Sequence, residues 1–136
     1  MAKKRKVAGD AESGTSKSED RLANDREGDL TRRIERLELF EERLGVRLES
    51  LSALIEIDQD PPFALNVYGE LHPRDGTELQ SDVELIVVAY DQSGRIVGTD
   101  STNFDAENFF GFETFRIWFY LPVNEIVRIR VYPKKG

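Results

Sequence analysis

Val83-Glu84-Leu85-Ile86-Val87-Val88-Ala89-Tyr90, then Asp91-Gln92-Ser93-Gly94, then Arg95-Ile96-Val97-Gly98-Thr99, is the stretch that decides the fold. A short apolar run rich in β-branched residues and closed by turn formers reads as a buried strand, and a second β-rich run follows the turn at once. The same rhythm continues on either side, at Phe63–Leu71, Arg95–Thr102, Phe112–Leu121 and Ile126–Tyr132. Between these runs fall Asp60-Pro61-Pro62, His72-Pro73-Arg74-Asp75-Gly76 and Pro122-Val123-Asn124, all of them turn chemistry. Ile55-Glu56-Ile57 reads as a short first strand. The connections are too short to hold crossover helices, so antiparallel pairing is expected. Short strands at this spacing predict a sandwich or barrel over residues 55–136.

Residues 30–54 read differently. Leu30, Ile34, Leu37, Leu44, Leu48 and Leu51 recur at spacings of three and four, broken by Glu41, with charged residues between them. This is the a/d pattern of an amphipathic helix, with Asp29 or Thr31 as its N-cap. Such a stripe needs cover, because an isolated helix of this length is marginal in water. Two covers are open: the chain's own β domain, or a second copy in a short coiled coil that makes a homo-oligomer. Gly45 and Glu41 weigh against an uninterrupted helix.

Residues 1–29 carry almost nothing to bury and read as a disordered charged tail. Lys3-Lys4-Arg5-Lys6 resembles a nuclear-localisation cluster, with a solvated basic tail as the plainer reading. Polar Gly9-Asp10-Ala11-Glu12 follows it rather than the apolar stretch of a signal peptide. The formal charge of −7 falls mainly on residues 58–136, which hold seven basic and thirteen acidic side chains. An acidic domain is poorly suited to phosphate backbones. The chain has no cysteine, which excludes disulfides and thiolate chemistry and fits a reducing compartment. No apolar run approaches the length of a membrane span. A cytoplasmic location is the expectation.

The β region also resembles the FxLYD domain family over residues 55–133. The likeness rests on Val67-Tyr68-Gly69-Glu70-Leu71, on Tyr90-Asp91 followed by Gln92-Ser93-Gly94, and on Glu113-Thr114-Phe115 before a late strand. Val87 and Ala89 stand where the family's Phe and Leu would be, and the loop before Glu113 lacks the family's Pro-Gly. The resemblance implies an immunoglobulin-like β-sandwich and a non-enzymatic module, often in surface-associated bacterial or archaeal proteins. The expected fold is thus mostly β: an antiparallel immunoglobulin-like sandwich preceded by one amphipathic helix and a disordered tail.

No catalytic, cofactor or metal residue stands out. His72 is the sole histidine, so any catalytic triad or histidine metal site would have to use it. Asp58, Asp60, Asp100 and Asp105 lie in loops without the alternation of a calcium loop. The informative feature is a strand face. Alternation turns Phe115, Ile117, Phe119 and Leu121 inward and Arg116, Trp118 and Tyr120 outward. In the next run Val127, Ile129 and Val131 turn inward, and Ile126, Arg128, Arg130 and Tyr132 outward. If the two strands pair, Arg116, Trp118, Tyr120, Arg128, Arg130 and Tyr132 form one partner-binding face of the residue types enriched in interface hot spots. Cover by the chain's own helix and a bare, self-stabilised surface are the other readings. The expected function is a protein-binding, assembly or adaptor module, with nucleic-acid association through the basic tail and arginine-rich face as the alternative.

The tail reading has a direct test. Amides before Leu22 are expected to exchange with solvent without protection, and slow exchange anywhere there contradicts it.

Overall fold

The computed structural model describes residues 27–136. The basic cluster Lys3–Lys6 and nearly all of the 1–29 tail lie outside them. The described chain is mostly β, with two sheets and one helix. A 3₁₀ turn (Thr31–Arg33) leads to β1 (Ile34–Arg36), α1 (Glu38–Leu44) and β2 (Val46–Ile55). There follow β3 (Phe63–Pro73), β4 (Val83–Tyr90), β5 (Ile96–Phe104), β6 (Glu113–Leu121) and β7 (Arg128–Lys135). One sheet has the order β1-β7-β4-β5, the other β2-β3-β6. All pairings are antiparallel except β1 with β7, which is parallel. The arrangement is consistent with an immunoglobulin-like sandwich.

The core lies between the sheets and is built by period-two alternation. Leu65, Val67 and Leu71 face it from β3, Leu85 and Val87 from β4, Ile117 and Leu121 from β6, and Ile129 and Val131 from β7, all buried. Gly69 sits on the inner face of β3 for a steric reason. A Cβ there would lie 2.6 Å from the Phe115 ring and 2.7 Å from Leu51 Cδ2, so the ring occupies the volume a side chain would need. The Tyr90-Asp91 turn is held by Asp91, whose Oδ1 accepts the Ser93 N–H (2.9 Å), the Ser93 hydroxyl (2.7 Å) and the Arg95 N–H (3.0 Å). These bonds, the Ser93 hydroxyl first, hold the carboxyl below its ordinary value. The turn's support is therefore complete at neutral pH and lost as pH falls through the lowered value.

The expected helix over residues 30–54 is corrected to the seven residues of α1. Gly45 ends it in the left-handed conformation (φ +72°) with its N–H on the Glu42 carbonyl, a glycine stop at the C-terminus. Beyond it Val46 and Leu48 alternate inward, then Ala53 and Ile55 do so in the opposite phase. A β-bulge between Glu49 and Ser52, with Ser50 at φ +57°, shifts the phase. That shift turns a period-two strand into spacings that imitate a heptad. The short first strand expected at 55–57 is likewise corrected, since Ile55 ends β2. The division into a 30–54 helix and a 55–136 sandwich gives way to one unit, because β2 is a full member of the second sheet.

Ahead of β1 the chain forms a strap. The Leu30 N–H reaches the Ala53 carbonyl (2.8 Å), the Ile55 N–H reaches the Gly28 carbonyl (2.8 Å), and Asp29 bridges to Leu54 on the outer edge of β2. Asp29 is not an N-cap: Leu30 holds that position of the 3₁₀ turn, and Asp29 accepts the Thr31 N–H (3.0 Å) and hydroxyl (2.6 Å) in a local turn before it. The strap then crosses to β7, where Ile34 pairs with Ile129. One point on the β2 edge is closed by side chains instead. Glu41 is fully buried and accepts the Leu48 N–H (3.1 Å), while Arg36 Nη2 donates to the Leu48 carbonyl (2.7 Å) and to Glu41 (2.6 Å). The Arg36 guanidinium is held above its ordinary value, first by its hydrogen bond to Glu41.

Removing one partner of a buried pair strands the other. Arg36→Ala leaves the fully buried Glu41 carboxylate without its guanidinium and is expected to cost about 3 kcal/mol, the low end for such pairs because Arg36 itself is partly solvated. Urea unfolding should show a lower midpoint at an unchanged m-value.

Candidate functional site

The coiled-coil residues are accounted for by the fold. Leu30 and Leu48 lie in the core, and Ile34, Leu44 and Leu51 pack against it. Leu37 occupies the N-cap of α1 and is half-buried. The heptad does not exist as a helix face, because its members are spread over strap, helix and strand. The oligomerisation surface Leu30, Ile34, Leu37, Leu44, Leu48 and Leu51 is corrected on that ground.

The six residues of the expected binding face are split between two faces. β6 pairs with β3, and β7 pairs with β4 and β1, so β6 and β7 belong to different sheets. Their connection crosses the end of the sandwich rather than forming a hairpin. Ile126 in that crossing is buried and Val127 is exposed, the reverse of the expected phase, since alternation does not carry through a loop that changes sheets.

On the four-stranded sheet, Tyr90 is buried beneath arginines. The guanidinium carbon of Arg128 lies 4.4 Å from the ring centroid and that of Arg130 lies 5.4 Å away. Glu35 of β1 accepts from Arg130 Nε at 2.7 Å and lies 3.9 Å from Arg128 Nε. Arg130 first, then Arg128, holds the Glu35 carboxyl below its ordinary value. Tyr132 packs edge-on to Phe40 of α1 at 5.7 Å. These side chains are engaged by their own chain.

The three-stranded sheet carries the remaining three. Register aligns Leu54, Asn66 and Trp118 in one cross-strand row and Ser52, Tyr68 and Arg116 in the next, with Tyr120 opposite Ala64. Leu54 is 44% exposed, Tyr68 38%, Trp118 43% and Tyr120 59%. The Trp118 and Tyr120 rings meet edge-to-face at 5.4 Å, and the Arg116 guanidinium lies 5.6 Å from the Trp118 ring. Arg116 Nε donates to the buried Asn66 Oδ1 at 3.0 Å. Among the described residues this is the one hydrogen bond Arg116 makes.

Further along the same face lies a group that sequence reasoning missed. Glu49 stands opposite Glu70 and Arg47 opposite His72. His72 Nε2 is 2.9 Å from Glu70 Oε1 and 3.8 Å from Glu49 Oε1, and its ring stacks flat on Phe112 at 4.8 Å. Arg47 Nε bonds the other side of Glu49 and holds that carboxyl below its ordinary value. Glu70 and His72 share a face by their spacing alone, which the sequence does show. The third member was hidden because Glu49 read as helical.

No family model matches the chain, and no curated protein matches it. A solved structure from Bacteroides fragilis, described as a "putative beta-galactosidase", is similar at 19% identity with a TM-score of 0.38. The match covers 68% of this chain and 16% of that one, so the chain spans about one sixth of that protein's length.

Proposed function

We infer that this chain is a non-enzymatic binding module that docks a protein partner on the outer face of its three-stranded sheet. The observation that carries the reading is the three adjacent cross-strand rows in which Leu54, Tyr68, Trp118 and Tyr120 are exposed around Arg116. Trp, Tyr and Arg dominate interface hot spots because they combine large apolar area with a polar handle. The Arg116 guanidinium, bonded through Nε alone among the described residues, suits a partner carboxylate. The partner that fits is thus a protein surface presenting an acidic side chain among apolar ones. The likeness to FxLYD sandwiches fits a non-enzymatic adaptor or assembly role, and the lack of cysteine fits a reducing compartment such as the cytoplasm. Self-assembly, if it occurs, would use this face rather than the leucines of residues 30–51. The nucleic-acid alternative has less support, because Arg128 and Arg130 lie on the other sheet against Tyr90 and Glu35.

A photo-crosslinker placed at Tyr120 is expected to capture the partner, and the same probe at Tyr132 is not. With that partner purified, Trp118→Ala should weaken binding by roughly 2 kcal/mol, a hot-spot loss. Arg116→Glu should do the same, and Arg128→Glu should leave affinity within about twofold. Trp118→Ala should barely change unfolding, whereas Ile117→Ala, its buried neighbour, should cost roughly 2–5 kcal/mol. Equal binding losses from Trp118→Ala and Arg128→Glu would refute the assignment.

A further inference from the structure

We propose that Glu49, Glu70 and His72 bind a divalent transition-metal ion of the zinc type. The inference stands apart from the docking reading, since it needs only the chain and the ion. Three strand positions on one face supply it. Glu49 and Glu70 are direct cross-strand partners, and His72 follows Glu70 by two residues. One ligand atom from each of the three lies within 4.8 Å of the other two. Ligands bound to one zinc at tetrahedral angles sit about 3.3 Å apart, given metal–ligand bonds of about 2.0–2.2 Å. The 2.9 and 3.8 Å separations from His72 Nε2 bracket that value. Small side-chain rotations, with no backbone change, would bring the three around a common centre.

Two further features point the same way. The His72 ring lies within 6° of parallel to Phe112, and this stacking fixes the imidazole plane with Nε2 toward the carboxylates. Charge supplies the second. Like charges directly opposite on neighbouring strands are unfavourable, yet this register faces Glu49 with Glu70. Arg47 offsets Glu49. Among the described residues the only ion-pair partner of Glu70 is His72 itself. A cation between the carboxylates removes the repulsion. The donor set of one imidazole and two carboxylates favours zinc-type ions over magnesium, which takes oxygen and water. Three protein ligands leave a fourth position open to water or to a donor from outside.

The composition makes the test clean: the chain has one histidine and no cysteine, so nitrogen ligation by a side-chain imidazole can come only from His72. Calorimetric titration of the full chain with zinc chloride is expected to show one-to-one binding, with none for magnesium chloride. His72→Gln and Glu70→Gln should each weaken zinc binding at least about tenfold, while Glu84→Gln on the other sheet should not. In the unaltered protein the His72 imidazole proton resonances should shift on adding zinc, a readout that no folding defect can mimic. Zinc uptake that survives His72→Gln undiminished, or an imidazole signal unmoved at excess zinc, overturns the site.

Discussion

The Arg36–Glu41 pair closes a stretch of the β2 edge that no neighbouring strand covers. The outward edge of β2 presents the Leu48 N–H and carbonyl, and no strand lies there to take them. A guanidinium and a carboxylate take both, and the two side chains bond each other as well. Buried charge is costly unless every group is satisfied. Here Glu41 faces two donors and Arg36 keeps one side in water. The pair sets the position of α1 against β2, and α1 in turn covers the far end of β7 through Phe40 and Tyr132. A polar residue at the centre of an apolar stripe, which looks like a fault in a heptad, is the residue that joins helix, strap and sheet.

The assignment of strands to sheets then governs which surface is free. Two strands adjacent in sequence carry similar outward residues, yet one set is spent and the other is not. Arg128 and Arg130 lie over Tyr90 and are tied by Glu35, so their aromatic and charged partners come from the same sheet. Trp118 and Tyr120 contact each other and Arg116, and still expose much of their area. An exposed cluster of large apolar side chains on a small domain calls for a reason in a way that scattered ones do not.

Much of the β architecture was legible because alternation is a local signal. β4 falls at Val83–Tyr90 as read, and β6 alternates inward at Phe115, Ile117 and Leu121. Pairing is not local. Nothing in residues 113–135 says that the chain changes sheets at Ile126, and a hairpin was the simpler reading. The β2 strand was lost for a different reason: one bulge at Ser50 inverts the phase of everything after it. Leu48 and Leu51 then fall three apart, as helical positions do. That single misreading also hid Glu49 from the face it shares with Glu70 and His72. Three of the five residues of the candidate binding face, Arg116, Trp118 and Tyr120, were therefore readable, while Leu54 and Tyr68 needed the register.

The strap has a consequence for the order in which the molecule can be made. Its residue Ile34 is among the first of the described chain to be synthesised, and its partner Ile129 is among the last. Contacts so distant in sequence are entropically slow to close. Until β7 emerges, β1 has no neighbour, and Ile34 and Leu44 lack part of the surface they later pack on. The nascent chain therefore holds an amphipathic segment waiting for its other half.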